Sequence, residues 1–99
     1  IEAVWERYYD IGEVDDLAGT IGQLLYELDY PDDAIVYFQQ SMQRNGRIAM
    51  TCYYIAQCYF ELDDLPQAQN YVLQSLELSS DDELAQTLEK RIQRELDNA

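Results

Sequence analysis

Apolar residues recur along the chain at intervals of three and four residues, which places them on one face of an α-helix. The first apolar stripe consists of Leu17, Ile21, Leu24, Leu25 and Leu28. Residues 29–32 break the pattern, and Pro31 within them suits the first turn of a second helix, where a missing N–H costs nothing. The second stripe consists of Ala34, Tyr37, Phe38, Ser41 and Met42. This helix is predicted to end near Asn45 and Gly46, a common C-terminal signal.

The same pattern returns in the next stretch of the chain, since residues 15–48 align with residues 49–82 without a gap. Gln23 matches Gln57, and the triplet Glu-Leu-Asp stands at both 27–29 and 61–63. The third predicted helix carries Cys52, Ile55, Ala56, Tyr59 and Leu62, and the fourth carries Ala68, Tyr71, Val72, Ser75 and Leu76. This period of 34 residues indicates a hairpin of two helices that is repeated and stacked.

The two ends of the chain differ from the middle. Residues 1–14 are predicted to form the second helix of a preceding, truncated repeat, with an apolar stripe at Ile1, Val4, Trp5, Tyr8 and Ile11. Residues 83–97 are predicted to form a helix with a polar outer face that covers the end of the repeat stack. Asp81 or Asp82 is expected to be the N-cap residue of this helix. Its narrow stripe consists of Leu84, Leu88, Ile92 and Leu96. Because the first residue is Ile1 and not Met, we expect the chain to be a fragment of a longer protein or a processed chain.

Together these segments predict one all-α domain over residues 1–99 with about six helices. Its expected divisions are a partial repeat helix (1–14), two repeats (15–48 and 49–82) and the cap (83–97).

Small residues stand at equivalent places of both repeats: Gly22 and Ala56 at the eighth, Ala34 and Ala68 at the twentieth, Ser41 and Ser75 at the twenty-seventh. With the 34-residue period, this pattern resembles the tetratricopeptide repeat (TPR) family. The family's aromatic residue at the fourth place and its Pro at the thirty-second are absent here. The resemblance implies a right-handed superhelical stack of antiparallel helix hairpins, a TPR-like solenoid. It also implies that alanine is tolerated at Gly22, because Ala56 is its counterpart.

In that family the first helix of each hairpin lines a concave groove that holds a peptide or helix of a partner protein. By position, this groove would be lined by Thr20, Gln23, Tyr26, Glu27, Met50, Tyr53, Tyr54, Gln57, Phe60 and Glu61. Alternatively, the aromatic residues of this set pack against neighbouring helices. The resemblance implies a protein–protein interaction module, a scaffold or adaptor segment. The alternatives are a small acidic secretion or assembly chaperone, and an accessory domain of a larger enzyme.

The formal net charge is −14, which repels nucleic-acid phosphates and anionic lipid surfaces. We therefore expect a neutral or basic protein partner, no nucleic acid and no membrane, with self-association through the N-terminal edge as a further possibility. Alternatively, the charge serves solubility alone. The only basic cluster in the repeats and cap, Lys90, Arg91 and Arg94, is interpreted as a solvated face that complements a helix dipole, or else as a site for an acidic segment.

No catalytic site, cofactor or metal is predicted, because the chain has no His, no glycine-rich phosphate loop and no calcium-loop spacing. Cys52 and Cys58 lie on an apolar face without a His partner, so they are interpreted as buried small hydrophobic residues. Six helical steps separate them by about 9 Å, too far for a disulfide. Two unpaired thiols favour a reducing compartment, and the predicted location is the cytoplasm.

Overall fold

The computed structural model describes residues 17–98, and every regular element in this range is an α-helix. We number them α1 (Leu17–Glu27), α2 (Pro31–Asn45), α3 (Ala49–Glu61), α4 (Leu65–Leu78) and α5 (Glu83–Asn98). The predicted all-α class is therefore confirmed for this part of the chain, and each of the five helices lies where the sequence pattern places one. The helix and the self-association edge predicted at residues 1–14 lie outside the described residues.

Local signals account for the helix ends. Pro31 occupies the first turn of α2, where Asp32 and Asp33 face the positive end of the helix dipole. Gly46 closes α2 with a φ of 81°, a left-handed conformation that glycine adopts without a steric penalty, and its N–H donates to the Met42 carbonyl at 2.8 Å.

Aspartates cap the starts of α4 and α5. The Asp64 carboxylate accepts from the Gln67 N–H at 3.3 Å, and the Asp82 carboxylate accepts from the Leu84 N–H at 3.0 Å. The prediction that Asp81 or Asp82 caps the last helix is therefore confirmed for Asp82.

The turn between α1 and α2 and the turn between α3 and α4 stand at the same place of the two repeats and have the same backbone geometry. Asp29 and Asp63 both have positive φ values, 69° and 63°, which Asp tolerates better than most residues. The Tyr30 N–H donates to the Leu25 carbonyl at 2.8 Å, and the Asp64 N–H donates to the Tyr59 carbonyl at 2.9 Å. The repeat found in the sequence is thus a repeat of local structure as well.

The helices pack in chain order. The most extensive contacts are those of α1 with α2 and of α3 with α4; α2 also packs on α3, α4 on α5, and α3 touches both α1 and α5. The short connections make successive helices antiparallel. One buried cluster, between α2 and α3, consists of Ala34, Ile35, Phe38, Ile55 and Cys58. The other, formed by α3, α4 and α5, consists of Ala56, Ala68, Val72, Ala85, Leu88 and Ile92.

The small residues at the equivalent places of both repeats are buried. Ala34, Ala56 and Ala68 are completely buried. Ser75 is buried as well, and its hydroxyl donates to the Ala49 carbonyl at 2.9 Å, which ties α4 to the first turn of α3.

The packing argues against the expectation that alanine is tolerated at Gly22. A Cβ atom there would lie 2.8 Å from Cδ1 and 2.9 Å from Cε1 of the buried Phe38 ring. In the second repeat the smaller Val72 stands in the place of Phe38, so Ala56 fits there and an alanine at Gly22 does not.

Three of the predicted apolar stripes are corrected, and in the third of them Leu62, which follows the last residue of α3, is 44% exposed. Leu24 and Leu28 are 48% and 57% exposed, because no helix within residues 17–98 covers that side of α1. Leu84 is 65% exposed, and Ala85 is buried in its place beside Leu88 and Ile92. A strict spacing of four residues drifts by about 40° per step around a helix, so the first member of such a stripe rotates out of the contact.

Candidate partner-binding face

The predicted groove residues lie on two helices that touch side by side. Thr20, Gln23, Tyr26 and Glu27 lie on α1; Met50, Tyr53, Tyr54, Gln57, Phe60 and Glu61 lie on α3. At the start of α3, the side-chain amide nitrogen of Gln23 is 4.0 Å from the sulfur of Met50, which joins the two helices on this face. We call these ten residues the α1–α3 face.

Three tyrosine rings connect the helices across this face. Tyr54 lies edge-on to Tyr26 of α1, with ring centroids 5.7 Å apart, and edge-on to its neighbour Tyr53 at 5.8 Å. On its inner side Tyr54 stacks on Phe38, at 5.5 Å and with 5° between the ring planes. Edge-to-face and offset-stacked pairs of this kind add to the stability that burial supplies.

Every aromatic ring of the α1–α3 face is half-buried. Tyr26 and Tyr54 pack against the cluster that contains Phe38, whereas Tyr53 and Phe60 pack against the cluster that contains Val72. The packing interpretation of these residues is therefore confirmed, while part of each ring stays accessible and its use by a partner stays a prediction. Tyr54 has the strongest packing role, because it contacts three other rings.

The polar residues of the face differ in how they are engaged. The Gln57 side-chain amide donates to the Tyr53 hydroxyl at 2.7 Å, one helical turn away, and this fixes the Tyr53 ring. Thr20 and Gln23 are half-buried, whereas Met50 at the other end of the face is 58% exposed. Met50 is thus an apolar, adaptable side chain available for contact.

Carboxylates gather where α1 and α3 end. Glu27 and Glu61 are the last residues of these helices and are both exposed. Partial desolvation, and secondarily the negative charge of Asp29, raise the pKa of Glu61 above its usual value. Desolvation, followed by the charge of Glu61, raises the pKa of Tyr26 to about 12. Asp29, Glu61 and Tyr26 are therefore close enough to influence one another across the two helices.

Arg91 of α5 extends the face beyond the residues that the sequence indicated. Its guanidinium carbon lies 4.9 Å from the centroid of the Phe60 ring, a cation–π arrangement. Sequence reasoning missed this contact because α5 does not follow the repeat pattern, so no counterpart in an earlier helix shows which side of α5 faces α3.

Lys90, Arg91 and Arg94 were predicted to compensate the negative end of the α5 dipole. They do not lie at that end, since the last turn of α5 holds no basic residue. Lys90 and Arg94 instead line a shallow, open depression along α5 of about 430 Å³, which they share with Glu89 and Asp97. Oppositely charged side chains thus surround both cations, and the interpretation of this surface as a solvated face remains.

Both cysteines are buried and neither forms a disulfide. Desolvation raises the pKa of Cys52, and desolvation together with the charge of Glu61 raises the pKa of Cys58 to about 12. Such thiols are protonated at neutral pH and behave as small apolar residues, as the sequence predicted. Along residues 17–98 no cluster of three or more potential metal ligands occurs, and none of the described helices combines the length and apolarity that crossing a bilayer requires.

The described part of the chain is thus an all-helical protein with a half-buried aromatic face on two of its helices. The chain matches no protein-family model, and no curated protein is detectably similar to it in sequence.

Proposed function

We propose that this chain is a TPR-type solenoid that acts as a protein–protein interaction module, and that a peptide or helix of its partner binds along the α1–α3 face. Two features support the repeat assignment. The α1–α2 and α3–α4 turns share their hydrogen bonds and positive-φ aspartates at equivalent places of the two repeats. The small residues at the repeat's crossing positions are buried.

The observation that carries the binding proposal is the row of half-buried rings at Tyr26, Tyr54 and Tyr53, which bridges two helices and continues to Phe60 on the same helix. Tyrosine and phenylalanine supply large contact areas and lose little rotational freedom on binding, and truncation of central aromatic residues often costs about 2 kcal/mol or more at interfaces. Their inner parts are already held by the core, so a partner does not have to order them.

The test is a capture experiment with the double variant Tyr53→Ala plus Phe60→Ala. The immobilised protein is incubated with an extract of its own cells, and captured proteins are quantified by mass spectrometry. We expect the double variant to lose a specific partner that the wild type retains, by tenfold or more, since about 1.4 kcal/mol corresponds to a factor of ten.

The matched control is Val36→Ala plus Leu73→Ala, which removes two half-exposed apolar side chains from α2 and α4. Circular dichroism establishes that both double variants keep the wild-type helix content. Retention of the partner by the Tyr53 and Phe60 variant, or equal loss by the control, contradicts the assignment to this face. Reduced self-association in the former variant would instead identify the face as a dimer surface.

A further inference from the structure

Tyr26 and Phe60 are counterparts in the two repeats. Each lies in the last turn of its helix, and a glutamate follows each of them: Glu27 ends α1 and Glu61 ends α3. The next helix along the face brings Arg91 over the Phe60 ring. The counterpart ring has no such neighbour, because among residues 17–98 no Lys or Arg lies over Tyr26.

The surroundings of Tyr26 are strongly negative. Tyr26, in the last turn of α1, packs edge-on against Tyr54 of α3, and neither helix has a basic residue in its last turn, so the negative ends of both dipoles are uncompensated. Glu27, Asp29 and Glu61 add three carboxylates, and in the described part of the chain the one ion pair joins Arg47, between α2 and α3, to Glu77 of α4. No positive group within this range balances the charge beside Tyr26.

A guanidinium suits this place better than other groups. It stacks on an aromatic face and at the same time pairs with a carboxylate through two parallel N–H donors, which a lysine ammonium cannot do. A neutral or acidic side chain would leave the carboxylates unpaired or add repulsion. Arg91 over Phe60 is an example, within the same chain, of a guanidinium placed above an aromatic ring.

We propose that the partner of the α1–α3 face is a basic segment of another protein, one arginine of which lies over the Tyr26 ring and pairs with Glu61. This inference rests on the function proposed above and adds the chemistry of the partner. The apolar residues of the segment contact Tyr53 and Met50, and its arginine specifies position and direction along the face.

The experiment uses a phage-displayed library of random peptides, selected on the full chain. Three proteins are compared: the wild type, Glu61→Gln and Glu77→Gln. The last makes the same change in charge on the exposed side of α4, so it controls for the net charge of −14. We expect arginine to be enriched at one position of the peptides selected by the wild type and by Glu77→Gln, and not in those selected by Glu61→Gln.

The best peptide is then synthesised with this arginine and with citrulline, its neutral analogue. On the wild type, citrulline should weaken binding by roughly tenfold, and on Glu61→Gln by roughly twofold or less. Equal losses on both proteins would show that the arginine does not pair with Glu61 and would overturn the inference.

The outcomes separate the two proposals. Peptides that bind through Tyr53 and Phe60 without enrichment of arginine overturn the inference and leave the proposed function in place. A wild type that selects no peptide contradicts both. If the protein binds its own copies and Arg94→Gln abolishes this in sedimentation, the basic segment is α5 of a second molecule, and a separate protein partner is excluded.

Discussion

Replacing Gly22 by alanine should destabilise this protein, although alanine is the better helix former and stands at the equivalent place of the second repeat. The added Cβ would lie 2.8, 2.9 and 3.1 Å from three atoms of the Phe38 ring, where ordinary contacts are about 3.5–4.0 Å. The ring cannot move away easily, because it is only 1% exposed and stacks on Tyr54.

The magnitude follows from two opposing contributions. Alanine in place of glycine stabilises a helix interior by about 1 kcal/mol. Overpacking of a well-filled core costs about 1–3 kcal/mol. The expected net change is a loss of up to about 2 kcal/mol, and a loss of 1 kcal/mol lowers Tm by about 4–8 °C in a domain of this size.

The compensating substitution is Phe38→Val, which copies the arrangement of Ala56 and Val72 in the second repeat. Alone it should cost about 2–3 kcal/mol, somewhat less than the full truncation of a buried phenylalanine to alanine. In the double variant the new Cβ occupies part of the space that the ring vacated, so the overpacking cost disappears. The two substitutions should therefore be coupled by about 1–3 kcal/mol in the favourable direction.

Urea unfolding of the wild type, both single variants and the double variant, followed by circular dichroism, measures this coupling. Gly22→Ala combined with Val72→Ala is the control, because Val72 lies in the other buried cluster and the two effects should add. Additivity of Gly22→Ala and Phe38→Val within about 0.5 kcal/mol would refute the packing argument.

Three further predictions concern single residues. The pKa of Glu61 is raised on folding, so the folded state binds this proton more tightly, and the contribution of Glu61 to stability should fall as pH rises from its ordinary pKa of 4.5 through the raised value. Thermal unfolding measured between these two pH values should show this decline in the wild type and in Glu77→Gln but not in Glu61→Gln. At neutral pH the Tm of Glu61→Gln should be higher than that of the wild type. At about pH 8, Ellman's reagent should label neither Cys52 nor Cys58 until the protein is unfolded, because both are buried and both pKa values are raised; rapid labelling of the native protein would contradict this. Ser75→Ala should lower the free energy of unfolding in urea by about 1 kcal/mol, because it removes the hydrogen bond to the Ala49 carbonyl. The control Ser80→Ala, at an exposed position, should leave the stability unchanged. Equal effects of the two substitutions would contradict a stabilising role of that hydrogen bond.

The Glu61→Gln variant connects stability with function. If Glu61 serves only the fold, its removal should not change binding. If it receives a partner's arginine, the variant should be more stable and yet bind more weakly, a combination typical of residues that a protein retains for function.

The sequence by itself determined the local structure of residues 17–98. Pro31, Gly46, Asp64 and Asp82 mark helix ends because their effects act within one or two turns of the chain. The spacing of the repeats determined that the turns at Asp29 and Asp63 are alike, and apolar periodicity placed both cysteines inside. The groove residues were assigned to helices correctly, while their use by a partner stays a prediction.

Only the tertiary structure decided which residues meet between helices. The contact of Arg91 with Phe60, the proximity of Glu61 to Asp29 and the exposure of Leu84 depend on how each helix is rotated and spaced against its neighbours. The spacing in turn depends on pairs of side-chain volumes: glycine opposite phenylalanine in one repeat, alanine opposite valine in the next. A periodic pattern specifies the face of a helix relative to its own axis, whereas contact between two helices requires the positions of both axes, which the packing of the whole core sets.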